Sequence, residues 1–523
     1  MNFRLRWCVL VAALALAACT RSDLRPDYQR ESSMSIAPQA DAPLVAEAAR
    51  LSASHGGDSG VRILADSIDA LLARIALANR AEHSIDLQYY MFHGDSTGKL
   101  LAHYLLAAAD RGVRVRVLLD DLHKVGKDDV LRALDGHPHI EIRLFNPFHE
   151  RTSSMWGMGK QFAGDFARLN RRMHNKAFIV DGAAAVVGGR NIGDEYFDAH
   201  GDVNFRDLDV MLIGPVVPEI ARSFDTYWNS EPSTPVDAFQ HDTLSPTELA
   251  TVRKVLAENA NAMHESQYGA GVLAEAGELT RSDAAGQWAW GSAEFLADDP
   301  GKVTPDVDSR DLHMAPHIKA WLDTAQRRIL LVSPYFVPGK TGVAYLEQKR
   351  HQNIEVAVLT NSLASTDADN VYAAYAAYRP QLLAAGVEMY ELKPDAARTA
   401  KQSHLLGATS SQSSLHSKLM IVDDDKAFVG SMNLDPRSGN LNTECGVIMT
   451  SPAFAGALVD IFDRATNPAV TYQVKLKTPG SDRVYWETME NGETVLYDDA
   501  PRTSAWRRMK ASMTRMLPIE GLL

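Results

Sequence analysis

From about residue 61 onward, the apolar and polar positions repeat with two alternating periods. Residues 67–81 space their apolar side chains as an amphipathic helix does, and residues 84–90 (Ser-Ile-Asp-Leu-Gln-Tyr-Tyr) alternate as a half-buried strand does. A helical pattern over 98–110 follows, then an apolar strand over 114–119. The order returns further along the chain, with a helix over 318–327, a strand over 329–336, a second helix and a strand over 355–360. Strands alternating with helices predict a largely parallel sheet covered on both faces. The recurrence predicts an α/β fold of two similar halves, over 61–235 and 306–470.

The remaining segments differ in character. Arg4 and Arg6 precede an apolar run over residues 7–18, which is too short to span a bilayer and has the layout of a secretion signal. Its end, Leu16-Ala17-Ala18-Cys19, resembles the lipobox of bacterial lipoproteins. That resemblance implies a signal peptide over 1–18, a diacylated Cys19 and a protein anchored in the cell envelope facing the periplasm. Thr20 after Cys19 points to the outer rather than the inner membrane by the same resemblance, and a plain signal peptide with an incidental cysteine is the alternative. Residues 19–60, rich in Ser, Asp, Pro and Gly, read as a flexible tether. Residues 236–305 read as a helical insertion or linker, with helical spacing over 247–262 and Trp288 and Trp290 near its end. Residues 471–523 form a strand-rich tail that ends in a helix over 504–517. That helix has Trp506, Met509, Met513 and Leu517 on one face and Arg507, Arg508, Lys510 and Arg515 around the rest. Such a helix lies on an anionic bilayer or packs on its own domain.

Composition narrows the function classes. The chain has 523 residues, of which 46% are hydrophobic and 23% charged, and this excludes a low-complexity or broadly disordered protein. A formal net charge of −13 repels a phosphate backbone, so no nucleic-acid partner is expected. The cysteines, Cys8, Cys19 and Cys445, supply no disulfide framework.

Each half carries the same spaced set of polar residues. The first reads His174-Asn175-Lys176, then Asp181, then Gly188-Gly189-Arg190-Asn191; the second reads His416-Ser417-Lys418, then Asp423, then Gly430-Ser431-Met432-Asn433. A single chance match to His-x-Lys-x4-Asp-x6-Gly-x2-Asn is expected on the order of one time in ten thousand, so two matches in corresponding places are a strong signal. Apolar runs on either side of Asp181-Gly182 and of Asp423-Asp424-Asp425 predict hairpins, with each His-x-Lys at or before the start of a buried strand. Residues two apart on a strand face the same way, so each imidazole and ammonium share a side. Packing of the halves about a pseudo-twofold axis would bring both pairs to one pocket.

Such a pocket suits phosphodiester chemistry without a metal or cofactor. Lys176 and Lys418, with Asn191, Ser431 and Asn433 as further donors, would hold the equatorial oxygens of the transition state. One neutral histidine attacks phosphorus, and the other, protonated, serves as acid and then base. A histidine in either role needs a carboxylate on its second nitrogen. Glu444, at the start of a strand over 445–450, and Asp207, which falls opposite it when Pro215 is aligned with Pro452, are the candidates. Asp181 and Asp423 belong to the motif and are counted with the catalytic set, although fixing the turns that follow the strands is the role the residues favour. Tyr89, Tyr90 and Tyr335 end equivalent strands as substrate-facing or ordinary aromatics. Asp120-Asp121 lacks a companion ligand cluster and reads as a turn or helix start rather than a metal site.

These residues resemble the duplicated HKD motif of the phospholipase D superfamily, from about residue 61 to the end. Leu144-Phe145-Asn146-Pro147-Phe148, Leu169-Asn170-Arg171-Arg172-Met173, Gly188 to Asp194, Trp506-Arg507-Arg508 and Leu517-Pro518-Ile519-Glu520 are similar to the bacterial cardiolipin synthase C branch. The resemblance implies a phosphatidyltransferase with phospholipid substrates. Phosphatidylglycerol would be the acceptor, and phosphatidylethanolamine or phosphatidylglycerol the donor. It also implies that His174 is the nucleophile, a choice the residues themselves leave open. Water in place of the alcohol would make the same machinery a hydrolase; a secreted nuclease and an inactive lipid-binding scaffold are the more distant alternatives.

Overall fold

The computed structural model describes residues 23–515 and 521, except 26, 124–127, 152, 153, 240–245, 267–287, 306–309 and 397–411. The leader with Cys19, and Leu517 to Glu520, therefore lie outside the described residues.

Strands β1 (Ser59–Leu64), β2 (Ser84–Tyr89), β3 (Arg114–Asp120), β4 (Ile140–Phe145), β5 (Ala177–Val180), β6 (Ala184–Gly188), β7 (Val203–Arg206), β8 (Asp209–Ile213) and β9 (Ser233–Pro235) belong to the first half. The second half has β10 (Ala289–Ala297), β11 (Arg328–Val332), β12 (Glu355–Asn361), β13 (Glu388–Leu392), β14 (Gln412–Leu415), β15 (Leu419–Val422), β16 (Lys426–Gly430) and β17 (Cys445–Thr450). The tail adds β18 (Thr471–Leu476), β19 (Val484–Glu490) and β20 (Glu493–Tyr497).

The pairings make the halves superposable in order. Across the first sheet the strands run β4-β3-β2-β5-β6-β8-β1, with β2, β3 and β4 parallel and the rest antiparallel. Across the second they run β13-β12-β11-β15-β16-β17-β10 with the same parallel and antiparallel pattern. β1 and β10 also pair antiparallel with each other, which joins the two sheets edge to edge. The inner sheet faces share one core that includes Ala185, Val187 and Leu212 from one half and Ala427, Val429 and Val447 from the other. The helices Val217–Trp228 and Pro452–Ala465 contribute to this inner layer, whereas Ser67–Arg80 and Ser96–Asp110 cover the outer face of the first half.

Three expectations change. Residues 289–297, placed by sequence in the insertion, form β10, the counterpart of β1, so the second half begins before residue 306. The alternating pattern is weak there because β10 is only half-buried along most of its length. The predicted tether is, from residue 23 onward, packed on the first half. The Ser33 and Glu31 carbonyls accept from the buried guanidinium groups of Arg116 and Arg143, Ser35 N donates to Asp225, and Pro43–Ala53 is a helix. Two buried arginines with unfilled donors hold this polar segment down, although it has little apolar surface of its own.

Asp181 and Asp423 leave the catalytic set. Asp181 and Gly182 both take positive φ in the β5–β6 turn, as do Asp423 and Asp424 in the β15–β16 turn. The Asp181 carboxylate accepts from the backbone N–H of Glu82, His83 and Ser84 at 2.8–3.0 Å, and Asp423 accepts from those of Gln326, Arg327 and Arg328. Burial raises the Asp423 carboxyl, but the three N–H groups outweigh it and its pKa is lowered. Both side chains therefore sit at the end of the strand away from the histidine and register the hairpin on the start of β2 or β11. Asp181→Ala leaves three N–H groups without acceptors and is expected to cost about 2–4 kcal/mol. The thermal unfolding midpoint should fall while turnover per folded molecule is kept; a catalytic role would instead abolish turnover at unchanged stability.

Candidate active site

Two short parallel pairings between the halves build the site. β7 pairs with β14 so that Arg206 lies opposite Leu415, and the next residue of each chain is Asp207 or His416. The counterpart is a bridge between Met173 and Thr443, after which come His174 and Glu444. In both places the histidine N–H donates to the carbonyl just before the carboxylate, His174 to Thr443 O and His416 to Arg206 O, each at 2.8 Å. The rings follow: His174 Nδ1 lies 2.9 Å from Glu444 Oε2, and His416 Nδ1 lies 2.5 Å from Asp207 Oδ2. Each histidine is thus oriented by a carboxylate from the other half. Nδ1 is taken in both rings, which leaves Nε2 for chemistry.

The histidines line one cavity of about 480 Å³ together with Asn191 and Asn433. Lys176 and Lys418 are buried beside the histidines, each ammonium donating to the carbonyl of its own histidine. Burial lowers the Lys176 ammonium to about 7 and the Lys418 ammonium to about 8, against the pull of Glu444 and Asp207. Burial and the two lysines drive His174 well below the usual imidazole range. His416 is lowered too, by burial and Lys418, but Asp207 opposes the shift. Asp207 is itself held at about 2, because His416 and Lys418 outweigh its burial. Burial pushes Glu444 up to about 7 despite Lys176, Ser431 and Ser438. A bound phosphodiester anion would offset the clustered positive charge and favour both ammonium forms.

The carboxylates are supported differently. Glu444 accepts from Ser431 Oγ at 2.5 Å and Ser438 Oγ at 2.7 Å, and its backbone N–H donates to Asp298, the ion-pair partner of Lys302. Ser431 is thereby removed from the phosphate-binding set, since its hydroxyl proton is directed to Glu444. Glycine stands at the matching position 189, where a Cβ would come within 2.2 Å of Asp207 Oδ1. The Asp207 carbonyl accepts instead from Arg190, whose guanidinium also reaches the Leu64 and Ala65 carbonyls.

Asn191 and Asn433 remain at the cavity. Asn191 Nδ2 donates to Tyr196 Oη at 2.8 Å, and Asn433 Oδ1 has no hydrogen-bond partner among the described residues. Tyr90 packs edge-on to His174 with ring centroids 5.1 Å apart, and Tyr335 Oη donates to Asp367 Oδ2. Both tyrosines line the cavity. Tyr89 instead is buried and accepts from Arg74. Asp120 accepts from Arg172 and from Met173 N–H, and Asp121 pairs with Arg151.

Sequence reasoning missed Arg172, Asp298 and Lys302. Arg172 also lines the cavity and is pinned by Asp120, with no hydrogen-bond partner for Nη1 among the described residues. Its spacing of two residues before His174 was a usable signal, because such residues share a strand face. Asp298 and Lys302 carried no motif. One His/carboxylate group among the described residues has metal-like spacing: His93, Asp95 and Glu195. Asp95 already caps the helix Ser96–Asp110 through Gly98 N–H and accepts from Asp194 N–H, and His93 pairs with Glu195 at 3.3 Å.

Residues 74–228 and 318–466 match the family model described as "Cardiolipin synthase, PLD-like domain". Cardiolipin synthase C of Escherichia coli (strain K12) is 40% identical over 477 residues, which span 90% of this chain and 98% of that one. The major cardiolipin synthase of Bacillus subtilis (strain 168) is 27% identical over 81% of this chain and 72% of its own. A crystal structure of phosphatidylserine synthase from Haemophilus influenzae Rd KW20 superposes with a TM-score of 0.53 at 12% identity, covering 91% of this chain and 100% of that one; it shares the fold. With both motif matches falling inside the two segments that carry the paired histidines, the chain belongs to the cardiolipin synthase family of phospholipase D-like proteins.

Proposed function

We propose that the protein transfers a phosphatidyl group onto phosphatidylglycerol to form cardiolipin, through a phosphohistidine, with phosphatidylethanolamine or phosphatidylglycerol as donor. The observation that carries this reading is the pair of buried histidines on one cavity, each held at Nδ1 by a carboxylate of the opposite half. Similarity to cardiolipin synthase C over nearly the full length of both chains supports the substrate class.

The two rings are unlike, and the difference supports one assignment of roles. His174, whose pKa burial and the two lysines lower, is favoured in the neutral form and attacks phosphorus with Nε2. His416 faces an aspartate that stays ionised, so it is the better proton holder and protonates the departing alkoxide. The phosphorus–oxygen bond to the headgroup breaks as the phosphorus–nitrogen bond forms. His416 then takes the proton from the incoming primary hydroxyl, whose oxygen displaces His174 from phosphorus. Lys176, Lys418, Asn191 and Asn433 supply charge and donors for the phosphoryl oxygens in both steps. The leader and Cys19 support a lipid-anchored place in the bacterial envelope, facing the periplasm, where both substrates would be drawn from the membrane.

Lipid mass spectrometry on vesicles of phosphatidylglycerol and phosphatidylethanolamine tests the reaction. Cardiolipin is expected from the wild type and from neither His174→Ala nor His416→Ala; phosphatidic acid in its place would make the protein a hydrolase. The proton roles have their own test in the pH dependence of kcat/KM. Because His174 must be neutral and its pKa is lowered, the acid limb should lie below the usual imidazole pKa of about 6.5. Asp207→Asn removes the anion that favours protonated His416. It should move the basic limb to lower pH and reduce kcat by about 10²–10⁴-fold. An unmoved basic limb would remove His416 from the acid role.

A further inference from the structure

Ten large apolar side chains are exposed among the described residues, and five of them lie on two helical segments. Trp156 is 85% exposed and Phe166 42%, on the helices Met155–Gly164 and Phe166–Leu169. Trp506 is 70% exposed, Met509 46% and Met513 58%, on the helix Ala505–Thr514. Spacings of three and four residues place the last three in one stripe. The sequence pattern allowed this helix to bury that stripe on its own domain, but the structure docks a different face. Ala511 is the buried residue, Arg507 pairs with Asp369 and donates to the Thr366 carbonyl, and Arg508 donates to the Thr503 carbonyl.

The first segment lines the active-site cavity, and the last helix is held, from the other half, next to a residue that lines it. Phe162 and Leu169, on the first pair of helices, line the cavity. Thr366 and Asp369, which hold the last helix through Arg507, flank Asp367 in the chain, and Asp367 lines the cavity as well. Charge follows the same plan. The chain carries a net −13, yet Lys510 and Arg515 beside the Trp506 stripe have no ion-pair partner among the described residues.

We propose that these two segments form a bilayer-docking face that seats the cavity mouth on an anionic membrane surface, with Trp156 and Phe166 inserting from one half and Trp506, Met509 and Met513 from the other. The inference rests on the reading that the substrates are phospholipids, and it adds how they are reached. Indole and thioether side chains partition into the headgroup–acyl boundary, and the basic rim is drawn to phosphatidylglycerol. With the mouth at that depth, a headgroup enters the cavity while its acyl chains stay in the bilayer. The anchor expected at Cys19 would keep the protein near the membrane, and the docking face would set its orientation.

The full-length protein is placed on vesicles of phosphatidylglycerol and phosphatidylcholine with brominated acyl chains, and quenching of tryptophan emission is recorded. The wild type is expected to show a quenchable fraction that shrinks in Trp156→Phe and in Trp506→Phe and is lost in the double variant; on phosphatidylcholine alone it should be smaller. Equal quenching in wild type and double variant would overturn the proposal. In parallel, Met509→Asp with Met513→Asp should cut turnover on vesicles by roughly tenfold or more while turnover of a monomeric short-chain phosphatidylglycerol stays within about twofold. Equal turnover on vesicles would likewise overturn it. Should the phosphatidyltransfer reading fail, by hydrolysis instead of transfer or by absence of turnover, the quenching experiment still decides whether the face enters the bilayer. Self-association of the full chain through the same residues, with no quenching on vesicles, would make the face a protein contact and end the proposal.

Discussion

The hydrogen bond between each histidine and a carboxylate of the other half is the constraint on which the site depends. A buried carboxylate without a partner is expensive, and so is a buried imidazole whose protonation state is left undefined. Here each half supplies what the other lacks: Glu444 reaches His174, and Asp207 reaches His416. The backbone bonds from His174 to Thr443 and from His416 to Arg206 fix the same register before any side chain is placed. Assembly of the halves and assembly of the site are therefore one event, and neither half holds an oriented histidine alone.

Duplication gives two equivalent positions, and the departures from equivalence make them chemically different. Aspartate on one side and glutamate on the other change the reach to the ring by one methylene. Gly189 leaves room for Asp207 to come close, whereas Ser431 and Ser438 use their hydroxyls to hold Glu444. The carboxyls end far apart in proton affinity, about 2 against about 7. A cycle that begins with attack by a neutral ring and needs a proton from the other calls for that kind of inequality. A strictly symmetric site would give both rings the same affinity and no reason to take opposite roles.

The same economy extends outward. Arg190 steadies Asp207 through its carbonyl, and Lys302 with Asp298 steadies the start of Glu444, so buried cations at unrelated chain positions support equivalent carboxylates. The N-terminal segment around Ser33 and Ser35 closes over Arg116, completing the donors of a guanidinium already paired with Asp86 and Asp225. Much of the polar interior is thus carried by charge pairs that span long chain separations.

By itself the sequence determined the repeated α/β plan, the hairpins after each His-x-Lys and the family to which the motifs point. These are local properties: the periods of two and 3.6, the Asp-Gly turn and the spacing of residues on one strand face. It also named Asp207 and Glu444, because each stands at a comparable distance before a strand-ending proline. Only the tertiary structure decided that these carboxylates cross to the opposite half, since pairing between distant segments leaves no trace in local spacing. It also committed Asp181 and Asp423 to backbone N–H groups and the Ser431 hydroxyl to Glu444, turned residues 289–297 into the strand that joins the two sheets and left the Trp506 stripe facing outward. In each of these cases the outcome turns on which partner reaches a side chain first in three dimensions. A carboxylate spent on backbone N–H groups and one spent on a catalytic imidazole look the same in a linear motif.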